Sequence, residues 1–509
     1  MSIYFEQQTP FYPSIPRSYL SAYVSKSILI ILLYHLFFPS IGYPETGEWV
    51  PGVIHLHTKI GEGDGVLSPA EMVEKVREKG LGVAIINDHD NERVEYGVFP
   101  LRRLIKKVVE RQSISTHGEK KWLEALREAD NTFPEIVIPG IEAVPAYYWE
   151  GGLFDKYLSL RNWHKHILIM GLDSPDDIAD IPSVGKGWPV KPGIGCLLGL
   201  WPIALFPIGL FLVRYKRYNT IEFSNLKFKE PKKTYRVLGY MLFISGILFL
   251  VNNFPYCMSP YDPYHGNPGI GPYQEVIDYV NSRGGLTFWA HPDIPFGADI
   301  NGVKVTTQPH PEDLITSHDY TGFAALLEGK GASHPGGIWD RLLIEYIEGK
   351  RERPVWAIGE LDYKEGDWMG DTQTVFYLKE RSKHEVLQAL KEGNIYAVTG
   401  LPYKPVIKNF EAWDERDNIW KGMGSTVLVN GKVKMRVEIE YPVEKELILR
   451  LIKEGKVVKS WPFKGHLKRS WEENVADKTY YRIDIDSLLI GNPIFVENEN
   501  NPKERSKGS

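Results

Sequence analysis

Cysteine is almost absent: Cys196 and Cys257 are the only two in 509 residues. Two thiols exclude a disulfide framework and any all-thiolate zinc cluster. An excess of positive charge is missing too. Lys and Arg number 60 against 65 Asp and Glu, a formal net charge of −5, so the bulk charge argues against nucleic acid as a partner. There is no internal repeat of fixed period. The length itself exceeds one ordinary core, which gives two or three domains as the prior.

What the chain has instead is three apolar runs. "SILIILLYHLFFPSIGY" covers residues 27–43, "GIGCLLGLWPIALFPIGLFLV" covers 193–213, and "VLGYMLFISGILFLVNNF" covers 237–254. A bilayer core about 30 Å thick needs roughly 20 helical residues. The second and third runs carry no charge, so they are expected to be transmembrane helices rather than buried core helices. The first is shorter, contains His35 and Pro39, and is followed by no small-x-small cleavage pattern. It reads as a membrane anchor, with a signal peptide as the alternative.

Orientation follows from the flanking charges. Residues 214–236 hold eight Lys/Arg against two Glu, which makes this loop cytoplasmic by the positive-inside bias. Arg17 and Lys26 precede the first run and Glu45 and Glu48 follow it, so residues 1–26 are cytoplasmic as well. Three alternating crossings then place residues 44–192 and 255–509 outside the cytoplasm, in a multi-pass protein of the cell membrane. Cys196 and Cys257 would fall near the outer helix ends, where a disulfide between them is one hypothesis.

The outer portion alternates strands with helices. Residues 50–57 are strand-like and end in two histidines. "SPAE" (Ser68–Glu71) has the form of a capping box with proline at the first helical position. That helix is expected to run to about Lys79 and stop at Gly80, before the apolar strand "LGVAIINDHD". This is a βαβ unit of a parallel sheet. The pattern returns around "EIVIPGIE", "HILIMGLD", "RGGLTFWAHPD", "GFAALLEGK" and "PVWAIGELDYKEGD", and the α/β part ends near residue 400. Residues 405–497 alternate as antiparallel strands of a β domain. The tail, 498–509, has a disordered composition.

Chemistry gathers at the strand ends. His55 and His57, at i and i+2, project from the same face of a strand, an arrangement that suits a divalent metal. Asp64 follows in a glycine-rich loop. Asp88, His89 and Asp90 end the second strand, Glu142 a third, His291 another and Asp362 the last. In α/β barrels the carboxyl ends of the strands build the site, so these groups should converge. His166 is the exception: it begins its run and must sit on an edge strand or be carried by the preceding turn. Histidines and carboxylates without cysteine favour Zn²⁺, Mn²⁺ or Fe. More than five such ligands exceed the need of one tetrahedral ion, so at least two ions are expected.

These segments taken together, "HLHTKIGEGDGVLSPAEMVEKVREKGLGVAIINDHD", "GIE", "HILIMGLD", "AHPD" and "GELDY", resemble the PHP (polymerase and histidinol phosphatase) family. The resemblance covers residues 52–173 and 270–400, and is nearest to the stand-alone, carbaryl-hydrolase-like branch. It implies a distorted (β/α)7 barrel, here interrupted by the transmembrane hairpin and followed by a small antiparallel β-sandwich. It also implies two or three divalent ions, with His55, His57, Asp64, His89, Glu142, His166, His291 and Asp362 standing where the family's ligands stand. Two departures matter. The loop from His57 to Asp64 is longer than the usual pattern. Where the family has a histidine two residues after the last aspartate, this chain has Lys364. Lysine is a poor ligand and a good anion partner. Either one ion is missing, or Lys364 meets a substrate phosphate, or it points to water.

The reaction implied is metal-assisted hydrolysis of a small, phosphorylated molecule, with Asp90 or Lys364 assisting as proton carrier or anion clamp. A carbamate, ester or amide hydrolase is the alternative. A membrane-tethered binding protein with structural metals is a third reading. Beside these, bland readings suit the remaining candidates. His164 is a neighbour of His166, and His265, His318 and His334 are solvated. Arg161, Lys165 and Arg341 are expected on the solvated surface, with an anion at the barrel mouth as the alternative, and Trp339 with Asp340 starts or braces a helix.

Overall fold

The computed structural model describes residues 47–61, 65–152, 155, 157–189, 193–231, 235–257, 259–326, 332–400 and 402–499. The first apolar run, Asp64 and the end of the tail lie outside the described residues. From Glu48 onward the chain forms one compact unit of mixed α/β structure.

Apolar segments bounded by turn residues form the central strands. They are β1 (Glu48–Leu56), β2 (Val83–His89), β3 (Ile136–Ala143), β4 (Ile167–Met170), β5 (Leu286–Trp289), β6 (Gly322–Leu326) and β7 (Trp356–Gly359). They lie side by side in chain order within one large sheet. β2 to β7 and β1 from Gly52 on are buried because both faces are covered. In β2, Ala84 and Ile86 face the helix layer, while Val83 and Ile85 pack in a second cluster with Leu168 and Phe288. Just past β7, Leu361 N–H donates to Ile54 O at 3.0 Å and Tyr363 N–H to His55 O at 2.9 Å. The row therefore ends against the strand it started from.

The helices follow their local signals. α1 (Pro69–Glu78) begins on a Ser68/Glu71 capping box with Pro69 in the first turn. α2 (Glu119–Thr132) buries Trp122, Leu123 and Leu126. α3 (Leu205–Arg214) and α4 (Arg236–Asn253) come from the second and third apolar runs. Cys196–Arg214 and Arg236–Asn253 are long and apolar enough to cross a membrane. A Cβ on Gly209 would meet Gly239 O at 2.8 Å, and one on Gly239 would meet Gly209 O at 2.6 Å, so only glycine permits this approach of the two helices. Cys196 and Cys257 form a disulfide across the foot of this hairpin.

Of the two placements open to His166, an edge strand or the preceding turn, the turn is the one found, and the expected parallel direction fails: β4 lies between β3 and β5 and is antiparallel to both. The other neighbouring pairs from β1 to β7 are parallel. A reversed strand brings its first residue to the end where the others finish. His166, in the turn leading into β4, thus reaches the same place as the strand-end residues.

β8 (Gln373–Leu378) pairs antiparallel with β1, and β9 (Ile395–Val398) with β8. The sheet continues through Leu489–Gly491 into Thr479–Ile485 and Leu447–Lys453. A separate four-stranded sheet, containing Val406–Asp414 and Lys432–Glu440, shares a core with it, in which Phe410, Val437, Leu449 and Ile483 are buried together.

Candidate metal centre

β1 does not reach its histidines by regular pleating. The register against β2 shifts between Ile54 and Leu56, and His55 lies at the shift with φ of 74°, in the left-handed region. Its N–H is held by Asn87 Oδ1 at 3.0 Å. Asn87 occupies the space that a Cβ on Gly140 would fill, at 2.4 Å from its Nδ2, so Gly140 in "IPGIE" is needed for this brace. The bulge leaves the rings of His55 and His57 with centroids 4.8 Å apart. They share a side, as the spacing suggests, through a bulge rather than a flat strand.

Glu142, at the end of β3, is the hub. Its carboxylate lies 3.0 Å from His55 Nε2, 3.4 Å from His57 Nε2, 3.2 Å from His89 Nδ1 and 3.5 Å from His291 Nε2. His166 Nδ1 also contacts it. Asp362 Oδ1 lies 3.1 Å from His57 Nε2 and 3.8 Å from His55 Nε2. The ligand-type atoms form three overlapping groups, each with its atoms within 4.8 Å of one another: His55/His57/Asp362, His57/His89/Glu142 and Glu142/His166/His291. All of these side chains are buried except Asp362, which is 36% exposed and opens the cluster to solvent.

The donor set fits divalent cations. His55 is fully buried and neither ring nitrogen makes a hydrogen bond, though acceptor oxygens of Glu142 and Glu360 stand 3.0 and 3.2 Å away. His166 Nε2 lies 2.8 Å from Trp163 O, which can only accept, so Nε2 carries a proton and Nδ1 is the nitrogen that faces Glu142 and would turn to a cation. Burial pushes the Glu142 carboxyl up, but His166, His55 and His89 outweigh it and hold it well below the usual range. His55 is driven the other way: burial lowers it, and Glu142, Glu360 and Asp362 together raise it well above an ordinary imidazole. The cluster thus concentrates lone pairs and negative charge in a dry place, the environment in which a divalent ion replaces protons.

The remaining candidates fall outside this ring of atoms. Asp90 is 2% exposed and its carboxylate is engaged: Oδ1 accepts from Val144 N–H at 3.1 Å, and Oδ2 accepts from Asn91 Nδ2 at 2.9 Å, with Lys186 Nζ 3.4 Å away. Lys364 is half-buried beside Tyr363. Asp88 faces away and braces the turn after His57, accepting from Thr58 N–H at 2.6 Å and Trp122 Nε1 at 2.7 Å. Burial, working against those hydrogen bonds, pushes its carboxyl up to about 6.

His164 stacks on Phe296 and is held to about 2, chiefly by burial. His265, His318 and His334 are exposed, as their surroundings suggest. Lys165 is not on the surface: its ammonium is buried, paired with Asp313 and 4.3 Å above the ring of Tyr273. The residue that sequence reasoning missed is Glu360, fully buried behind His55, whose Oε2 also accepts from His291 N–H at 3.3 Å. It stands in "GELDY", just before the motif's leucine and aspartate, where nothing local marks it.

No family model matches the chain, and no curated protein matches it. Among solved structures it is similar to the crystal structure of a two-domain protein from Bacteroides vulgatus containing a predicted PHP-like metal-dependent phosphoesterase. That likeness has 11% identity and a TM-score of 0.35, and covers 89% of this chain and 96% of the other.

Proposed function

We propose that this chain is a metal-dependent hydrolase of the PHP type, a phosphoesterase held at a membrane. The observation that carries the reading is the convergence of His55, His57, His89, Glu142, His166, His291 and Asp362 from six separate stretches of chain. The closed row of seven strands is read as the distorted (β/α)7 barrel that the motifs imply, with the site at its mouth. Asp64 remains an eighth candidate ligand.

Divalent cations, when bound, would polarise a phosphoryl group and acidify a water. The chain's own residues then divide the remaining work. His55, locked between Asn87, Glu360 and the Tyr363 backbone, fixes the ligand geometry. Asp362 stands at the opening, where substrate would arrive. Lys364, two residues on in the chain, would supply a cation for the charge of a phosphate. Asp90, with its oxygens engaged, is a positioning residue that holds the turn after His89.

The test is metal content measured beside turnover of p-nitrophenyl phosphate, bis-p-nitrophenyl phosphate and an aryl carbamate. His57→Ala and Asp362→Ala should lose both metal and phosphoesterase activity, by at least about a hundredfold in rate, the scale on which one electrostatic contact to a transition state acts. Turnover of the carbamate alone would move the assignment to the other hydrolase class. Full turnover in either variant would remove it.

A further inference from the structure

At the foot of the membrane hairpin lies a cavity of about 640 Å³ that the metal centre does not use. Its walls come from three places: the strand pair Arg93–Gly97 and Lys106–Glu110 with its connecting loop, the loop around Lys186 and Trp188, and the segment that follows α4. Five cations line it, Arg93, Arg102, Arg103, Lys106 and Lys186, against the carboxylates of Glu95 and Asp262.

The charges are not all cancelled. Glu95 takes Lys106 at 2.6 Å and Arg93 at 3.5 Å. Lys186 faces Asp90 at 3.4 Å. Arg103 spends its guanidinium on the Asn253, Phe254 and Cys257 carbonyls at 3.1 to 3.4 Å, which fastens the loop to the end of α4 but leaves its charge in place. Arg102 lies 4.1 Å over the Tyr264 ring, and among the described residues no carboxylate pairs with it. An arginine stacked on an aromatic face presents its edge N–H groups outward, the geometry that binds phosphate in a bidentate manner.

Beside this cationic pocket, large apolar side chains face solvent. Phe99, Leu104 and Ile105 on the loop and Phe254 after α4 are all strongly exposed. Cations set just behind an apolar rim, where an apolar helix ends, match the boundary between acyl chains and headgroups.

We infer that this cavity binds the phosphate of an anionic phospholipid headgroup, with Arg102 as its principal cation and Phe99, Leu104 and Ile105 dipping into the leaflet. This rests on the reading of the two long apolar helices as membrane spans. It does not rest on the hydrolase reading, because binding here needs neither metal nor turnover.

The experiment is native mass spectrometry of the full chain released from detergent micelles holding equal amounts of phosphatidylglycerol and phosphatidylcholine. Wild type should retain phosphatidylglycerol in preference, and Arg102→Gln should weaken retention roughly tenfold, the loss of one charge-assisted contact. Arg102→Lys should recover part of it, which separates lost charge from lost folding. Three results would overturn the inference. One is equal retention of both lipids. Another is loss in Arg217→Gln, on the opposite loop, without loss in Arg102→Gln. The third is displacement of the lipid by inorganic phosphate at matched concentration, which would make the ligand a soluble anion.

Discussion

Three of the clustered residues sit where side chains are rarely tolerated: His55, His291 and Asp362 have φ of 74°, 29° and 49°. Each such backbone costs on the order of 1–3 kcal/mol and persists only where its surroundings hold it. Asp362 permits a clean test because it is partly exposed and its side chain does little packing. Asp362→Ala and Asp362→Gly both remove the carboxylate, but only glycine relaxes the backbone. The metal-free glycine variant should therefore be more stable than the alanine variant by about 1 kcal/mol, a few degrees in melting temperature. Equal melting points would show that the left-handed turn stores no strain. The His55–His57 pair was legible because two imidazoles at i and i+2 are rare enough to demand a reason. Glu360 was not, since a lone glutamate after an apolar run reads equally well as a strand end meeting solvent. Its role depends on His55, more than 300 positions earlier, and no local pattern carries that.

At the scale of elements, strand positions and the Ser68 cap could be read from apolar runs and turn residues, but direction could not. "HILIM" has no polarity of its own, and the reversal of β4 is decided by the connections on either side of it. The long-range brace between the α/β and β parts was equally hidden. Helix α5 (Ile338–Ile347) carries Asp340, 1% exposed, which receives Arg482 Nε at 2.8 Å and Nη2 at 2.7 Å. Tyr480 OH and the Gly336 N–H donate to the same carboxylate at 2.8 and 2.7 Å. Asp340 does brace its helix, as its position suggests, but its main partner is 142 residues away. A buried pair is costly to form and more costly to break, because the survivor is left charged in a dry core. Asp340→Asn or Arg482→Met should cost about 3–5 kcal/mol, read as a lower denaturant midpoint. Tyr480→Phe should cost about 1 kcal/mol, the ordinary value of one hydrogen bond. If Arg482→Met left the midpoint unchanged, the pair would not be what locks the two parts together.

For the whole molecule, if the two long apolar helices cross a membrane as proposed, two independent arguments bear on sidedness. The eight Lys/Arg of residues 214–236 favour the cytoplasm, and the Cys196–Cys257 disulfide at the opposite end of the hairpin favours an oxidising compartment. They agree, because the hairpin leaves and returns at its disulfide end, where Asn252 also accepts from Arg103 N–H at 3.0 Å and ties the stem to the body carrying the histidine–carboxylate cluster. Neither argument uses the catalytic chemistry, so the agreement can be tested without it. In intact cells a membrane-impermeant maleimide should leave both native cysteines unlabelled. After an impermeant reductant it should label them without lysis. Ser224→Cys, in the turn between the strands Tyr218–Phe223 and Leu226–Pro231, should react only once the membrane is opened. Labelling of Ser224→Cys in intact cells, with the native pair protected until lysis, would invert the protein and put its histidine–carboxylate cluster in the cytoplasm. A disulfide would then have to survive in a reducing compartment, and the two arguments could no longer both be right.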